Sequence, residues 1–137
     1  MSSLTIKVGD ELPVFQRRTG LAEWNRYAAV NDEFVPIHMD DDAGRAAGFP
    51  GALGMGNLQL AYLHNVVRDW LGSRGRILTL SCRFNAPNLK DTTIRASGRV
   101  TALTPTRHGI ELALDVWTAD GNDDRLAPGT CTVLMDI

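Results

Sequence analysis

The run Gly54-Met55-Gly56-Asn57-Leu58-Gln59-Leu60-Ala61-Tyr62-Leu63-His64-Asn65-Val66-Val67-Arg68-Asp69-Trp70-Leu71 carries apolar side chains almost all the way round a helical wheel. Met55, Leu58, Leu60, Ala61, Leu63, Val66, Val67 and Trp70 leave no wide polar face, so a helix over these residues must be covered on most sides. Gly72 supplies its stop, and Ser73, Arg74, Gly75 and Arg76 read as a polar turn.

Beyond that turn the period becomes two. Leu78, Leu80, Cys82 and Phe84 alternate with Thr79, Ser81 and Arg83, and Ile94, Ala96, Gly98 and Val100 alternate with Thr93, Arg95, Ser97 and Arg99. Ile110, Leu112, Leu114 and Val116 form a third series, Asp120-Gly121 marks a turn, and Cys131, Val133, Met135 and Ile137 form a fourth. Short connections imply an antiparallel sheet with one apolar face, and only the 54–71 helix is long and apolar enough to cover it. The expected class is α+β, a sheet wrapped around one long central helix. Ahead of it, Trp24, Tyr27, Ala28 and Val30 predict a short helix over Leu21 to Val30, with Thr19 as its N-cap.

The chain has 137 residues, a formal net charge of −2, 44% hydrophobic and 22% charged residues, which predicts a single domain over 1–137. This balance excludes disorder and a non-specific nucleic-acid binder, whose phosphate contacts need a Lys/Arg excess. No stretch approaches the ~20 apolar residues of a membrane span, and Met1 to Gly9 has no basic cluster followed by an apolar run. The expectation is a cytoplasmic protein without membrane partner. Cys82 and Cys131 both fall in strand segments and read as core thiols.

The richest chemical cluster is Asn31-Asp32-Glu33-Phe34-Val35-Pro36-Ile37-His38-Met39-Asp40-Asp41-Asp42. Pro36 biases Val35 towards extended backbone, so the cluster reads as a loop in which a carboxylate and the His38 imidazole can converge on one water. The plainer reading makes Asp40 to Asp42 the N-cap of a short helix over Asp41 to Ala47 and His38 an ordinary histidine. A metal site of His38, Asp40 and Asp42 lacks the ligand count of a real one. Gly48-Phe49-Pro50-Gly51-Ala52-Leu53-Gly54-Met55-Gly56-Asn57 matches no nucleotide-binding pattern, yet it leads into a helix whose first N–H groups suit an oxygen gaining negative charge. The alternative is a close-packed turn. His64 and His108 read as structural, and Arg74, Arg76, Arg83 and Lys90 either solubilise the surface or meet the phosphates of an anionic carrier.

These residues together resemble the MaoC-like hydratase/dehydratase family of hotdog enzymes. The family motif runs approximately S-G-D-x-N-P-x-H-x-D, and Asn31 to Asp40 keeps that spacing. Tyr27-Ala28, the segment Ala43 to Phe49, Val8-Gly9-Asp10-Glu11-Leu12-Pro13, and Ser81-Cys82-Arg83-Phe84-Asn85-Ala86-Pro87 followed by Asp91-Thr92 are similar to the family as well. Aligned back from His38, the family aspartate falls on Glu33, its asparagine on Val35 and the histidine of its His-Gly-Met segment on Leu53.

The resemblance implies a hotdog fold and hydration of 2-enoyl thioesters of coenzyme A or acyl carrier protein, or the reverse dehydration of 3-hydroxyacyl thioesters. The thioester is substrate, and no cofactor is implied. Glu33, or Asp32 beside it, would act with His38 on water, and the Gly54 N–H would hold the enolate oxygen. Met55, Gly56 and Arg83 would contact the substrate. A homodimer or a heterodimer with another hotdog subunit is expected, since an open sheet leaves unpaired edges. Two other readings are a non-catalytic subunit of a heteromeric hydratase and a hotdog thioesterase.

Overall fold

A computed structural model describes residues 5–136. Ile137, assigned by pattern to the last strand, and Met1 to Leu4 lie outside the described residues. The element order is β1 (Phe15–Thr19), α1 (Leu21–Asn31), a 3₁₀ turn (Pro36–His38), α2 (Asp41–Ala46), α3 (Gly56–Leu71), β2 (Gly75–Cys82), β3 (Thr92–Thr106), β4 (Gly109–Ala119) and β5 (Arg125–Met135). The strands form one antiparallel sheet in the order β1-β3-β4-β5-β2. Among the described residues no helix is long and apolar enough to cross a membrane.

α3 is the cover that the apolar run predicts. Tyr62, Leu63, Val66, Val67 and Leu71 are buried and join Ile94, Ala96, Val100, Leu112, Leu114, Val116, Cys131 and Val133 from the sheet in one core cluster. The inward series on β3, β4 and β5 are those that the two-residue period assigns. Gly72 ends α3 in the left-handed region at φ 57°, and the Arg74 guanidinium donates to the Trp70 and Leu71 carbonyls left over at the helix end. Burial raises the thiol pKa of Cys82 and pushes that of Cys131 up to about 11, so both stay protonated in the sheet.

Four points of the sequence reading need correction. β1 was not among the four predicted strands: its sequence, Phe-Gln-Arg-Arg-Thr, has exposed residues at Gln16, Arg17 and Arg18 and no two-residue alternation. The register of β2 shifts at Ile77/Thr79, where a bulge turns Ile77 inward with Leu80 and Cys82 and leaves Leu78 42% exposed. Phe84 lies past the strand end and is exposed. Thr19 is no cap. Gly20 occupies the N-cap position of α1, and the Thr19 side chain is buried with its hydroxyl 3.1 Å from the Thr92 carbonyl and 3.2 Å from Asn88 Oδ1.

α2 packs so closely on the segment leading to α3 that only glycine fits at Gly44: a Cβ there would lie 1.9 Å from the Gly51 carbonyl oxygen. The obstacle is backbone, which cannot rotate aside. Gly44→Ala is therefore expected to destabilise the fold by roughly 1–3 kcal/mol, the scale of an overpacked core, read as a lower urea midpoint. An unchanged midpoint would show that the α2 contact is looser than this packing requires.

Candidate active site

The loop from Asp32 to Asp40 is set by its two ends. Asp32 closes α1 in the left-handed conformation at φ 52°, with its own N–H and that of Glu33 directed at the Ala28 carbonyl. Asp40 caps α2, its carboxylate accepting from the Asp42 and Ala43 N–H groups at 3.3 Å, as the plainer reading of the Asp run holds. Between them, Pro36 opens the 3₁₀ turn that ends at His38.

His38 is 8% exposed, and its Nδ1 lies 2.8 Å from the Leu53 carbonyl oxygen. A carbonyl only accepts, so Nδ1 carries the proton and the neutral ring keeps its lone pair on Nε2. The Leu53 N–H in turn donates to the Ile37 carbonyl at 3.0 Å, which ties the same two segments by backbone. His38, Leu53, Gly54, Gly56, Gln59, Phe49 and the Phe84 to Pro87 segment line one cleft of about 290 Å³ at the start of α3.

The other candidate residues divide. Gly56 lines the cleft, and its N–H belongs to the first turn of α3, which has no intrahelical acceptor. The Gly54 N–H, by contrast, donates to the Asn88 carbonyl at 2.7 Å and so is already paired. The assignment of the enolate oxygen to Gly54 is corrected on that ground. Gly54 instead allows close packing, since a Cβ there would stand 3.0 Å from Trp24 Nε1 and 3.1 Å from Asn88 Nδ2. Met55 is also corrected as a substrate contact: it is 0% exposed and packs with Trp24, Ala28 and Ala52 beneath the helix start. Arg83 is exposed and lines a separate depression with Ser81, Cys82, Pro128, Gly129 and Thr130.

Of the two carboxylates, Asp32 is exposed, while Glu33 Oε2 is buried and, among the described residues, without a hydrogen-bond partner. Glu33 is not among the residues lining the cleft. It stands near Tyr27, whose pKa is raised by burial first and by the negative charge of Glu33 second. The Tyr27 hydroxyl oxygen accepts a long 3.4 Å bond from Asn31 Nδ2.

The sequence profile of the MaoC like domain matches residues 6–120. This chain belongs to the MaoC-like family. Among curated relatives, the (R)-specific enoyl-CoA hydratase of Aeromonas caviae is 26% identical over 122 residues, covering 88% of this chain and 90% of the relative. The solved (R)-hydratase from A. caviae involved in PHA biosynthesis superposes with a TM-score of 0.86 at 22% identity, over 97% of this chain and 99% of that one. A chain of the ChsH1-ChsH2 complex from Mycobacterium tuberculosis superposes with a TM-score of 0.84 at 21% identity, over 96% and 99%. The curled sheet around α3 is the hotdog fold of the MaoC-like hydratases.

Two buried polar residues of this MaoC-like site escape the sequence reading. Gln59 sits in the apolar helix run with no local mark of its role except that it shares the sheet-facing side of α3 with Tyr62, Leu63 and Val66. Asn88 is 2% exposed, and only its place four residues after Phe84 in an irregular segment signals anything. Asn88 holds Gly54 through its carbonyl and lies within reach of the Thr19 hydroxyl through Oδ1.

Asp41 fastens the site from outside. Its Oδ1 accepts from the Ala52 N–H at 3.0 Å and its Oδ2 pairs with the Lys90 ammonium, joining α2 to the segments on both sides of Gly54. The Lys90 bond first, and the Ala52 N–H second, hold the Asp41 carboxyl below its ordinary range. A depressed folded-state pKa contributes stability that is present above the unfolded value, about 3.9, and lost as pH falls through the folded value. The gap in melting temperature between the native chain and Asp41→Asn is thus expected to narrow below about pH 4. A gap constant from neutral pH to pH 3 would contradict this role.

Proposed function

We propose that this chain hydrates 2-enoyl thioesters or dehydrates 3-hydroxyacyl thioesters. The observation that carries the reading is the bond from His38 Nδ1 to the Leu53 carbonyl, which leaves Nε2 as the free acceptor of an imidazole at the start of a helix. In the hydration direction His38 Nε2 takes a proton from water as its oxygen bonds to C3, and the π electrons pass to C2 and the thioester oxygen. The Gly56 N–H and the N-terminal dipole of α3 stabilise the resulting enolate oxygen. Return of that proton from His38 Nε2 to C2 completes the addition and restores the neutral imidazole.

Glu33 is the carboxylate that would act with His38. Its buried Oε2 has no hydrogen-bond partner among the described residues, and burial of an unpaired carboxylate is costly unless function retains it. Asp32, the left-handed cap of α1, is exposed instead.

A dimer that extends the sheet fits this reading. β1 and β2 are the two open edges. β1 is short and carries exposed Arg17 and Arg18, an edge protected by charge, while β2 is longer and presents exposed Leu78. A second hotdog chain, identical or different, would therefore pair along β2. The non-catalytic-subunit reading is favoured by one observation, that Val35 and Leu53 stand where the family carries asparagine and histidine.

The test is hydration of 2-enoyl-CoA followed by loss of thioester-conjugated absorbance. His38→Ala is expected to lower kcat by at least ~10²-fold, with a modest fall in melting temperature because the Leu53 carbonyl loses its partner. Glu33→Gln should be strongly impaired, Asp32→Asn close to the native chain, and Glu33→Asp active. Inactivity of both the native chain and Glu33→Asp, with activation of a co-expressed homologue, would establish the subunit reading instead. For assembly, light scattering should give a dimer that Leu78→Lys weakens. A monomer at micromolar concentration, alone and with any co-purified partner, would contradict it.

A further inference from the structure

The cleft that holds His38 has a polar floor. Gln59 lines it and yet is only 2% exposed, and its side chain crosses from α3 to the sheet. Gln59 Oε1 accepts from the Thr118 hydroxyl of β4 at 2.6 Å, and Thr118 Oγ1 accepts from the Ala127 N–H of β5 at 3.0 Å. Gln59 Nε2 faces the Ala86 carbonyl at 3.4 Å, beneath the segment that forms the opposite wall. One side chain therefore ties together α3, β4 and the Phe84 to Pro87 wall at the inner end of the cleft, and β5 through Thr118.

Behind that bridge the molecule is closed. Tyr62, Leu63 and Val66, one and two turns farther along α3, are buried against Val116 and Leu126. An apolar chain pushed past Gln59 would have to break the bond to Thr118 and leave two buried polar groups unpaired. We propose that Gln59 limits the length of the acyl chain and that the site takes short-chain thioesters. This rests on the thioester reading above. Gln59 lies three residues beyond Gly56, about 4.5 Å along the helix axis, a depth that an extended chain fills with roughly four carbons. The limit is set by a hydrogen-bonded bridge, and removing either end of it deepens the cleft.

Saturated acyl-CoA binding separates this proposal from catalysis. Calorimetric titration of the full chain with butyryl-CoA and octanoyl-CoA should give a Kd at least tenfold lower for butyryl-CoA. In Gln59→Ala the octanoyl-to-butyryl ratio of Kd values should fall at least tenfold. Thr118→Val, which frees Gln59 to swing aside, should move the ratio the same way by a smaller factor. Because each ratio is taken within one protein, partial unfolding of a variant does not mimic the effect. A native ratio near one, or a ratio unmoved by both substitutions, overturns the floor and leaves the hydratase reading standing. A chain inactive on every enoyl thioester that still shows the native preference, and loses it in Gln59→Ala, supports the floor and removes the catalytic reading. Failure to bind either acyl-CoA overturns the proposal.

Discussion

The hydrogen bond between His38 Nδ1 and the Leu53 carbonyl is the contact on which the site depends. It joins a loop that follows α1 to the segment that precedes α3, two pieces of chain fifteen residues apart. A buried imidazole without such a partner would leave a polar nitrogen unsatisfied or force the ring to rotate. With it, tautomer and ring orientation are fixed together, and Nε2 becomes the acceptor. The neighbouring backbone bond from the Leu53 N–H to the Ile37 carbonyl makes the same junction rigid.

The rest of the structure can be read as support for that junction. Trp24 and Ala28 of α1 pack with Ala52 and Met55, setting the height of the α3 start against α1. Asn88 holds Gly54 from the other side, and Asp41 with Lys90 closes the outer face. The polar contacts among these are backbone or charge-assisted bonds, and a Cβ at Gly44 or Gly54 would press on neighbouring atoms. α3 itself is held by apolar burial, which is non-directional, so the polar contacts around its N-terminus give the cleft its precise shape.

The architecture was legible because its strongest signals are long. Eighteen residues of helical periodicity and the alternation on β3, β4 and β5 survive without knowledge of tertiary contacts. β1 was not legible, since an edge strand with Gln16, Arg17 and Arg18 outward has no apolar series to display. The outward turn of Leu78 depends on a bulge, which alters pairing without altering composition. In the site, Asp40 caps α2 as the plainer reading of the Asp run holds, and His38 and Gly56 line one cleft. Gly54 and Met55 are corrected for one reason: proximity in sequence to a helix start does not say which N–H is already paired or which side chain points inward. Arg83, just past the end of β2, lines a different depression. Gln59 and Asn88 are long-range bridges, and nothing local in the chain announces them.

The tautomer of His38 is the most direct test of this account. Nitrogen-15 chemical shifts of the ring, measured with selectively labelled histidine at a pH where the imidazole is neutral and assigned through His38→Gln, report which nitrogen carries the proton. The account predicts a protonated Nδ1 and an unprotonated Nε2 for His38. A ring protonated on Nε2 would mean that the Leu53 carbonyl does not orient it, and the proposed base would have no lone pair facing the cleft.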